Sequence, residues 1–99
     1  MKVVAIVQAR MGSTRLPNKV MKEINRVPMI ELLLSRLSQS KEIDQIVVAT
    51  SIEDKNLPLV KHVERLGYLC FRGSEDDVLQ RYLDAARTSN AGIVVRVTG

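Results

Sequence analysis

Aromatic residues, cysteine and long apolar segments are all scarce in this 99-residue sequence. It has no tryptophan, one phenylalanine and two tyrosines, so the core must consist of valine, isoleucine, leucine and alanine. The lone Cys70 excludes a disulfide framework and a site of paired cysteines, and we expect it to be a small buried hydrophobe in a reducing compartment. No apolar run approaches the roughly 18 residues of a membrane span, and the basic N-terminus does not resemble a signal peptide. We therefore expect a cytoplasmic protein.

Positive charge is concentrated in the first quarter of the chain. Residues 1–26 hold six basic residues and one acidic residue, whereas the remaining 73 hold nine basic and ten acidic. This distribution indicates a local anion site more than an extended nucleic-acid footprint. The basic region also lacks aromatic side chains that could stack on single-stranded bases. A basic module that binds nucleic acid remains the less favoured alternative.

Apolar runs alternate with amphipathic segments, a pattern typical of a doubly wound α/β fold. It predicts strands at residues 2–8, 45–50, 68–71 and 92–97, and helices at residues 28–39, 57–66 and 75–89. The strands are nearly continuous in apolar residues, as in a parallel sheet covered on both faces. Ligands of such sheets bind beyond the carboxyl ends of the strands, where the strand order reverses.

Cap residues mark the predicted helix boundaries. Pro28 suits the first turn of the first helix. Asn56 is expected to cap the second helix, and Gly67 to end it. Ser74 and Asp77 resemble a capping box at the start of the third helix, with aspartate in place of glutamate or glutamine.

The loop after the first predicted strand carries the chemistry of a phosphate site. Its polar and glycine positions are Arg10, Gly12, Ser13, Thr14, Arg15 and Lys19. The glycine allows backbone N–H groups to approach an anion, the hydroxyls can donate hydrogen bonds, and the cations can bind phosphate oxygens. Neither GxxxxGK[ST] nor GxGxxG is present. The residues alone leave two interpretations open, a triphosphate site and a solvated basic loop with an ordinary glycine turn.

Four segments of the chain resemble the cytidylyltransferases that activate acidic sugars. They are residues 5–19, 46–51, 71–79 and 95–99. This family includes the 3-deoxy-manno-octulosonate and acylneuraminate cytidylyltransferases, and the chain is most similar to its spore coat polysaccharide branch. The resemblance implies a Rossmann-like, three-layer α/β/α fold of the nucleotide-diphospho-sugar transferase type, with a mostly parallel sheet. It also implies that a sugar hydroxyl attacks the α-phosphate of CTP, which gives a CMP-sugar and pyrophosphate.

The same resemblance implies a role for individual residues. Arg10 and Lys19 are the implied catalytic cations that hold the triphosphate, with Arg15 as an auxiliary. The full implied nucleotide-binding set is Gln8, Ala9, Arg10, Gly12, Ser13, Arg15, Lys19, Gly73 and Ser74. Within it, the backbone at positions 8 and 9 and the turn at positions 73 and 74 are expected near the base and ribose.

The resemblance also implies a cofactor and partners. Relatives bind Mg²⁺ through an aspartate that follows a strand like the last one here, so we expect the metal ligands beyond Gly99 and assign none within the chain. CTP and a sugar acceptor are the expected partners, without nucleic acid or membrane. Relatives often dimerise, which makes a homodimer a candidate assembly.

The last predicted strand ends at the end of the sequence. We therefore expect residues 1–99 to be the N-terminal, nucleotide-binding part of a single α/β domain in a longer polypeptide. The alternative is a catalytically silent fragment that binds a nucleotide or anion and lacks the metal aspartate. If residues 1–99 are made alone, the first or fourth predicted strand lacks the neighbouring strand that it would pair with. Its exposed apolar edge predicts aggregation or oligomer formation.

Other polar residues have less specific interpretations. The acidic run at residues 75–77 could bind metal, although acids in a first helical turn favour the helix dipole. His62 has no second ligand at metal spacing, so a surface or satisfied histidine is expected. Arg96 near the end of the last strand either reaches a phosphate or sugar carboxylate, or pairs with an acid. Ser51 stands where some relatives have an acidic residue, which leaves its role open.

Overall fold

A computed structural model describes residues 1–9, 23–24 and 27–98 of the chain. Its elements are β1 (Val3–Gln8), β2 (Glu23–Ile24), β3 (Val27–Pro28), α1 (Met29–Ser38), β4 (Gln45–Ser51), a 3₁₀ turn (Asp54–Asn56), α2 (Leu57–Arg65), β5 (Leu69–Gly73), α3 (Val78–Thr88) and β6 (Ile93–Thr98). The alternation of strands and helices confirms the predicted α/β class. The short antiparallel pair β2–β3 has no counterpart in the sequence prediction.

The main sheet is parallel, with its strands in the order β5-β4-β1-β6. From β1 the chain moves outward to β4 and then β5, whereas the connection through α3 returns it to β6 on the other side of β1. The strand order therefore reverses at β1. Because ligands of doubly wound sheets bind at such a reversal, the carboxyl end of β1 is the expected place for a site.

Helices cover both faces of this sheet, which confirms the three-layer prediction. On one face, α1 and α2 pack on alternate strand residues in a cluster of Ala5, Val7, Ala9, Ile30, Leu34, Ile46, Val48, Leu59 and Val63. On the other face, α3 packs on the intervening positions in a cluster of Val4, Ile6, Val47, Ala49, Tyr82 and Ala85. This division follows from the two-residue period of a strand. Burial of each large aliphatic side chain contributes about 1.5–3 kcal/mol.

The third helix begins later than the predicted residue 75. Asp77 is its cap, because the Asp77 carboxylate accepts from the Gln80 N–H at 3.0 Å. The Ser74 hydroxyl instead accepts from the Asp77 N–H at 3.1 Å and closes the preceding turn. The carbonyls of Ser74 and Glu75 accept hydrogen bonds from the Arg81 guanidinium. Glu75, predicted as the first helical residue, and Ser74, predicted as the cap, therefore both precede the helix.

Two other cap predictions need correction, and one is confirmed. Asn56 precedes α2 but makes no capping bond, because the 3₁₀ turn runs directly into the helix and the Asn56 amide donates to the Ser51 hydroxyl at 2.5 Å. Pro28 lies in β3 with extended angles (φ −57°, ψ 142°), just before α1 and not in its first turn. Gly67 ends α2 as predicted, with the left-handed φ of 93° that favours glycine. Among the described helices, none has both the length and the hydropathy needed to cross a membrane.

Candidate functional site

The carboxyl ends of β1, β4 and β5 lie side by side and form the candidate site. The Ala9 N–H donates to the Ala49 carbonyl at 3.1 Å, which extends the pairing of β1 and β4 past Gln8. The Ile52 N–H donates to the Gly73 carbonyl at 3.0 Å and does the same for β4 and β5. With neighbouring strands about 4.8 Å apart, the ends of β1 and β5 are about 10 Å from each other. The fold thus brings the predicted residues at positions 8, 9, 73 and 74 to one edge.

A buried arginine of α3 connects the two outer strand ends of this site. Arg81 is fully buried. Its Nη1 donates to the Ser74 carbonyl at 2.7 Å and to the Glu75 carbonyl at 3.0 Å. The Gln8 amide is assigned with its oxygen toward the guanidinium, the orientation in which it accepts from Nη2 and from Nε at 3.2 Å. Since a buried charge is costly unless its donors are satisfied, these contacts hold Arg81 in one position.

Space for Arg81 explains the glycine at the end of β5. A Cβ atom built on Gly73 would lie 3.0 Å from Arg81 Cγ and 3.0 Å from Cε1 of the Phe71 ring. Both distances are shorter than ordinary carbon contacts. A glycine is therefore needed at this predicted site position because Arg81 and Phe71 occupy the space beside it.

A second arginine holds the loop after β4. Arg72 Nη2 donates to the Ile52 carbonyl at 2.8 Å and to the Glu53 carbonyl at 3.3 Å. Lys55 on this loop lies 3.2 Å from the Glu75 carboxylate on the next loop. An ion pair of this exposure contributes about 0–1 kcal/mol, so the arginine–carbonyl bonds are the stronger restraint. The loops after β4 and β5 are thereby joined to each other.

The predicted triphosphate loop begins where this framework ends. Ala9 is 2% exposed and belongs to the core cluster under α1 and α2, so the chain leaves β1 from a fixed point. Arg10, Gly12, Ser13, Arg15 and Lys19 lie outside the described residues. The roles of these five residues, and those of Gln8, Ala9, Gly73 and Ser74 toward a nucleotide, stay predictions.

The acidic run 75–77 has structural partners. Glu75 pairs with Lys55, and Asp77 caps α3. Within residues 1–9, 23–24 and 27–98, no group of three or more His, Cys, Asp or Glu side chains could hold a metal ion. The expectation that the Mg²⁺ ligands lie beyond Gly99 stays a prediction.

Two other candidates have contacts within the fold. His62 Nε2 on α2 is buried and lies 3.3 Å from a Glu31 carboxylate oxygen on α1, but it has no hydrogen bond among the described residues, so the expectation of a surface or satisfied histidine is met only in part. The Arg96 guanidinium lies 5.2 Å from the centre of the Tyr82 ring, which is a cation–π contact. This contact corresponds to neither predicted role of Arg96. Burial raises the pKa of Tyr82, and the nearby charges of Arg96 and Arg81 oppose that rise.

Cys70 is half-buried against the cluster under α1 and α2, so the expectation of a buried hydrophobe holds only in part. Burial, with a smaller effect of the Glu64 carboxylate, raises the pKa of the Cys70 thiol to about 11, although Arg72 acts in the opposite direction. A thiol of this kind is neutral near pH 7 and is a weak nucleophile.

Three relatives of known name or structure resemble the chain. The spore coat polysaccharide biosynthesis protein SpsF of Bacillus subtilis is 37% identical over 101 residues, which cover 98% of this chain and 42% of that protein. The structure of a cytidylyltransferase from Leptospira borgpetersenii superimposes with a TM-score of 0.93 at 43% identity, over 99% of this chain and 41% of the other. A CMP:2-keto-3-deoxy-manno-octonic acid synthetase, solved in complex with CTP, gives a TM-score of 0.86 at 25% identity, over 99% of this chain and 40% of the other.

The fold and the motif at the end of β1 agree with a family assignment. The chain spans about two fifths of the length of the curated relatives it matches. The family model described as Cytidylyltransferase matches residues 4–99, which includes the whole main sheet except Val3 of β1. The chain therefore belongs to the cytidylyltransferase family.

Proposed function

We propose that the polypeptide containing these residues transfers CMP from CTP to an acidic sugar. The observation that carries this proposal is the position of the 9–19 motif. It starts at the carboxyl end of β1, where the strand order reverses, in a fold similar to that of a synthetase solved with CTP. Ligand binding in doubly wound sheets occurs at this point.

The reaction needs charge neutralisation and alignment more than a covalent nucleophile. A hydroxyl oxygen of the acceptor sugar forms a bond to the α-phosphorus of CTP. The bond from that phosphorus to the oxygen bridging to the β-phosphate breaks, and pyrophosphate leaves with the electron pair. In this proposal Arg10 and Lys19 bind the triphosphate oxygens, with Arg15 in support. Gly12 and Ser13 supply backbone and hydroxyl donors, since a phosphate accepts hydrogen bonds from both.

The base and ribose would lie along the edge between β1 and β5. Gln8 and Ala9 form one side and Gly73 and Ser74 the other, about 10 Å apart by the spacing of strands. Most contacts there would come from the backbone, which the pairing of Ala9 with Ala49 and of Ile52 with Gly73 holds rigid. Such a framework lowers the ordering cost of binding.

The acceptor and the pathway are the finer parts of the proposal. The names of the relatives, one for spore coat polysaccharide and others for 3-deoxy-manno-octulosonate, support an acidic sugar destined for a spore coat or cell-surface polysaccharide. We propose Mg²⁺ as the cofactor, with its ligands outside residues 1–99, and a homodimer as the assembly.

Calorimetric titration of the full-length polypeptide with CTP tests the loop. Each charge-assisted hydrogen bond contributes about 1.5–3 kcal/mol. The double variant Arg10→Ala, Lys19→Ala should therefore weaken CTP binding by about 100-fold or more. Lys41→Ala is the matched control, because Lys41 is an exposed cation ahead of β4, at the opposite edge of the sheet. Unchanged binding in the double variant would refute the assignment of the loop.

A pyrophosphate-release assay with acidic and neutral sugars tests the reaction. Release that depends on both CTP and an acidic sugar supports the transferase. Tight CTP binding without release for any sugar would instead support the alternative, a catalytically silent nucleotide-binding protein.

A further inference from the structure

We infer that Arg81 is a positioning residue that sets which hydrogen-bonding group the site presents to the nucleotide base. Its guanidinium contacts the side chain at the end of β1 and the backbone just after β5. These are the two segments that the proposed function places beside the base and ribose, and the inference rests on that proposed function.

The contacts of Arg81 are with groups that cannot be rearranged easily. Nη1 is shared between two successive backbone carbonyls, those of Ser74 and Glu75, at 2.7 and 3.0 Å. Arg81 is fully buried, and Gly73 leaves no space beside its Cγ atom. Burial and these carbonyl bonds restrain the planar guanidinium. Its Nε and Nη2 atoms face Gln8.

This orientation decides how the Gln8 amide is turned. A guanidinium has only donors, so the amide must direct its oxygen toward Arg81. The amide NH₂ group is then the half directed away from the guanidinium. Gln8 is half-buried at the end of β1, and the proposal is that this group meets the base there. Without Arg81, the amide could present either its oxygen or its NH₂ group.

A fixed donor favours one kind of base. Cytosine offers two adjacent acceptors, N3 and the O2 carbonyl. Uracil carries a hydrogen on N3, so a donor that approaches N3 meets another donor. A site that presents the Gln8 NH₂ group toward N3 therefore selects cytosine over uracil, because the wrong base leaves a buried donor unpaired.

Three ligands separate the contributions in the full-length polypeptide: CTP, UTP and inorganic tripolyphosphate. Tripolyphosphate carries the charge of the nucleotide but has no base. Wild type should bind CTP at least tenfold more tightly than UTP, the discrimination expected from one hydrogen bond. Gln8→Met keeps the carbonyl bonds of Arg81 and removes the amide. It should lower CTP affinity about tenfold, abolish the preference over UTP, and leave tripolyphosphate affinity within about twofold.

Two further variants connect the effect to Arg81. Arg81→Lys keeps the charge but removes the fork that holds Gln8, so it should reduce the CTP-to-UTP ratio in the same way. Arg87→Lys is its control, because Arg87 lies on the same helix with a side chain that is 80% exposed. If Arg81→Lys does not fold, Gln8→Met decides alone, since it leaves the buried arginine and its carbonyl partners in place.

The outcomes distinguish this inference from the proposed function. Failure of wild type to bind CTP, with tripolyphosphate still bound, refutes the proposed function. An unchanged CTP-to-UTP ratio in Gln8→Met refutes the inference while the proposed function stands. An equal loss of CTP and tripolyphosphate affinity in the folded variants would also overturn it, because a purely structural role affects both ligands alike.

Discussion

Replacing Gly73 by alanine should show how firmly Arg81 is held. The new methyl group would lie 3.0 Å from Arg81 Cγ and 3.0 Å from Phe71 Cε1. Arg81 cannot move away at low cost, because its guanidinium donates to the Ser74 carbonyl at 2.7 Å and its side chain is fully buried. Either the arginine or the strand end must shift.

The expected cost follows from the cost of overpacking a core. Added carbon in a tightly packed position destabilises by about 1–3 kcal/mol. Alanine also restricts the unfolded chain, which offsets this by about 0.4–1 kcal/mol. We therefore expect a net loss of about 1–2 kcal/mol in the free energy of unfolding.

Gly92→Ala is the matched control. Its Cβ would also lie 3.0 Å from a neighbour, but that neighbour is Met1, which is 92% exposed. Because Met1 can move into solvent, the same substitution should change the free energy of unfolding by no more than about 0.5 kcal/mol.

Urea unfolding of the full-length polypeptide, followed by far-UV circular dichroism, measures both variants. The result that refutes the reasoning is an equal change in Gly73→Ala and Gly92→Ala. It would mean that Arg81 yields as readily as a terminal methionine, and that the site edge is not held by the buried guanidinium.

Three further predictions test other parts of the fold. Asp77→Ala should lower the free energy of unfolding by about 0.5–2 kcal/mol, because it removes the cap of α3. Asp76→Ala should have little effect, and equal urea midpoints for the two variants would contradict the cap seen in the structure. Because the folded-state pKa of Cys70 is raised from 9.0 to about 11, its contribution to stability is complete below about pH 9 and is lost as pH rises toward 11. Cys70→Ser should reduce that alkaline loss of stability, as measured by urea midpoints across this range; an identical pH profile would count against a buried thiol. Residues 1–99 alone should self-associate in sedimentation velocity, because three apolar residues of edge strand β6 are largely exposed: Ile93 (47%), Val94 (37%) and Val95 (39%). Val94→Lys should reduce the association. A monodisperse wild-type monomer would show that this edge does not drive association.

The strands and their faces could be predicted from the sequence because a parallel sheet covered on both faces requires continuous apolar runs. The middle of such a sheet suits two of these runs, Val3–Gln8 and Gln45–Ser51, because most of their residues are buried. The predicted bounds are accurate there to within one residue. The start of α2 at residue 57 was predicted correctly and that of α1 to within one residue, whereas α3 begins three residues after the predicted 75. Polar residues such as Ser74 and Asn56 can cap a helix, close a turn or bond to another side chain. Only the tertiary partner decides which of these occurs.

The candidate site was predictable where it depends on backbone position and not where it depends on a tertiary contact. The strand–loop boundary at Ala9 follows from the apolar pattern. The predicted third strand, residues 68–71, stops two residues short of the end of β5 at Gly73, a position that only the family resemblance singled out. The reason for Gly73 follows from neither, because no local rule relates it to an arginine eight residues later. A glycine with an ordinary φ has no turn-specific signal, and its need for space is visible only once α3 lies on the sheet.

Arg81 was missed because hydropathy gives the wrong face of α3. Periodicity alone would bury Leu79 and Leu83, yet these are 62% and 50% exposed. The buried stripe contains Arg81, Tyr82 and Ala85, with Ser89 after it. The other apolar residue of the helix start, Val78, is also largely exposed.

The signal that could have found Arg81 is its spacing from the small and aromatic residues of the stripe. Tyr82, Ala85 and Ser89 recur at helical intervals and suit a helix that packs closely on a sheet. Arg81 belongs to the same buried stripe and lies near the helix start. In a doubly wound fold this end of the helix lies above the carboxyl ends of the strands. An arginine there must satisfy its donors on whatever those strand ends offer, which is backbone carbonyls and the last polar side chain of the central strand. A cation on the core-facing side of the first turn of such a helix therefore predicts a residue that organises the ligand-binding edge. The nucleotide affinities of Gln8→Met measure whether Arg81 does so here.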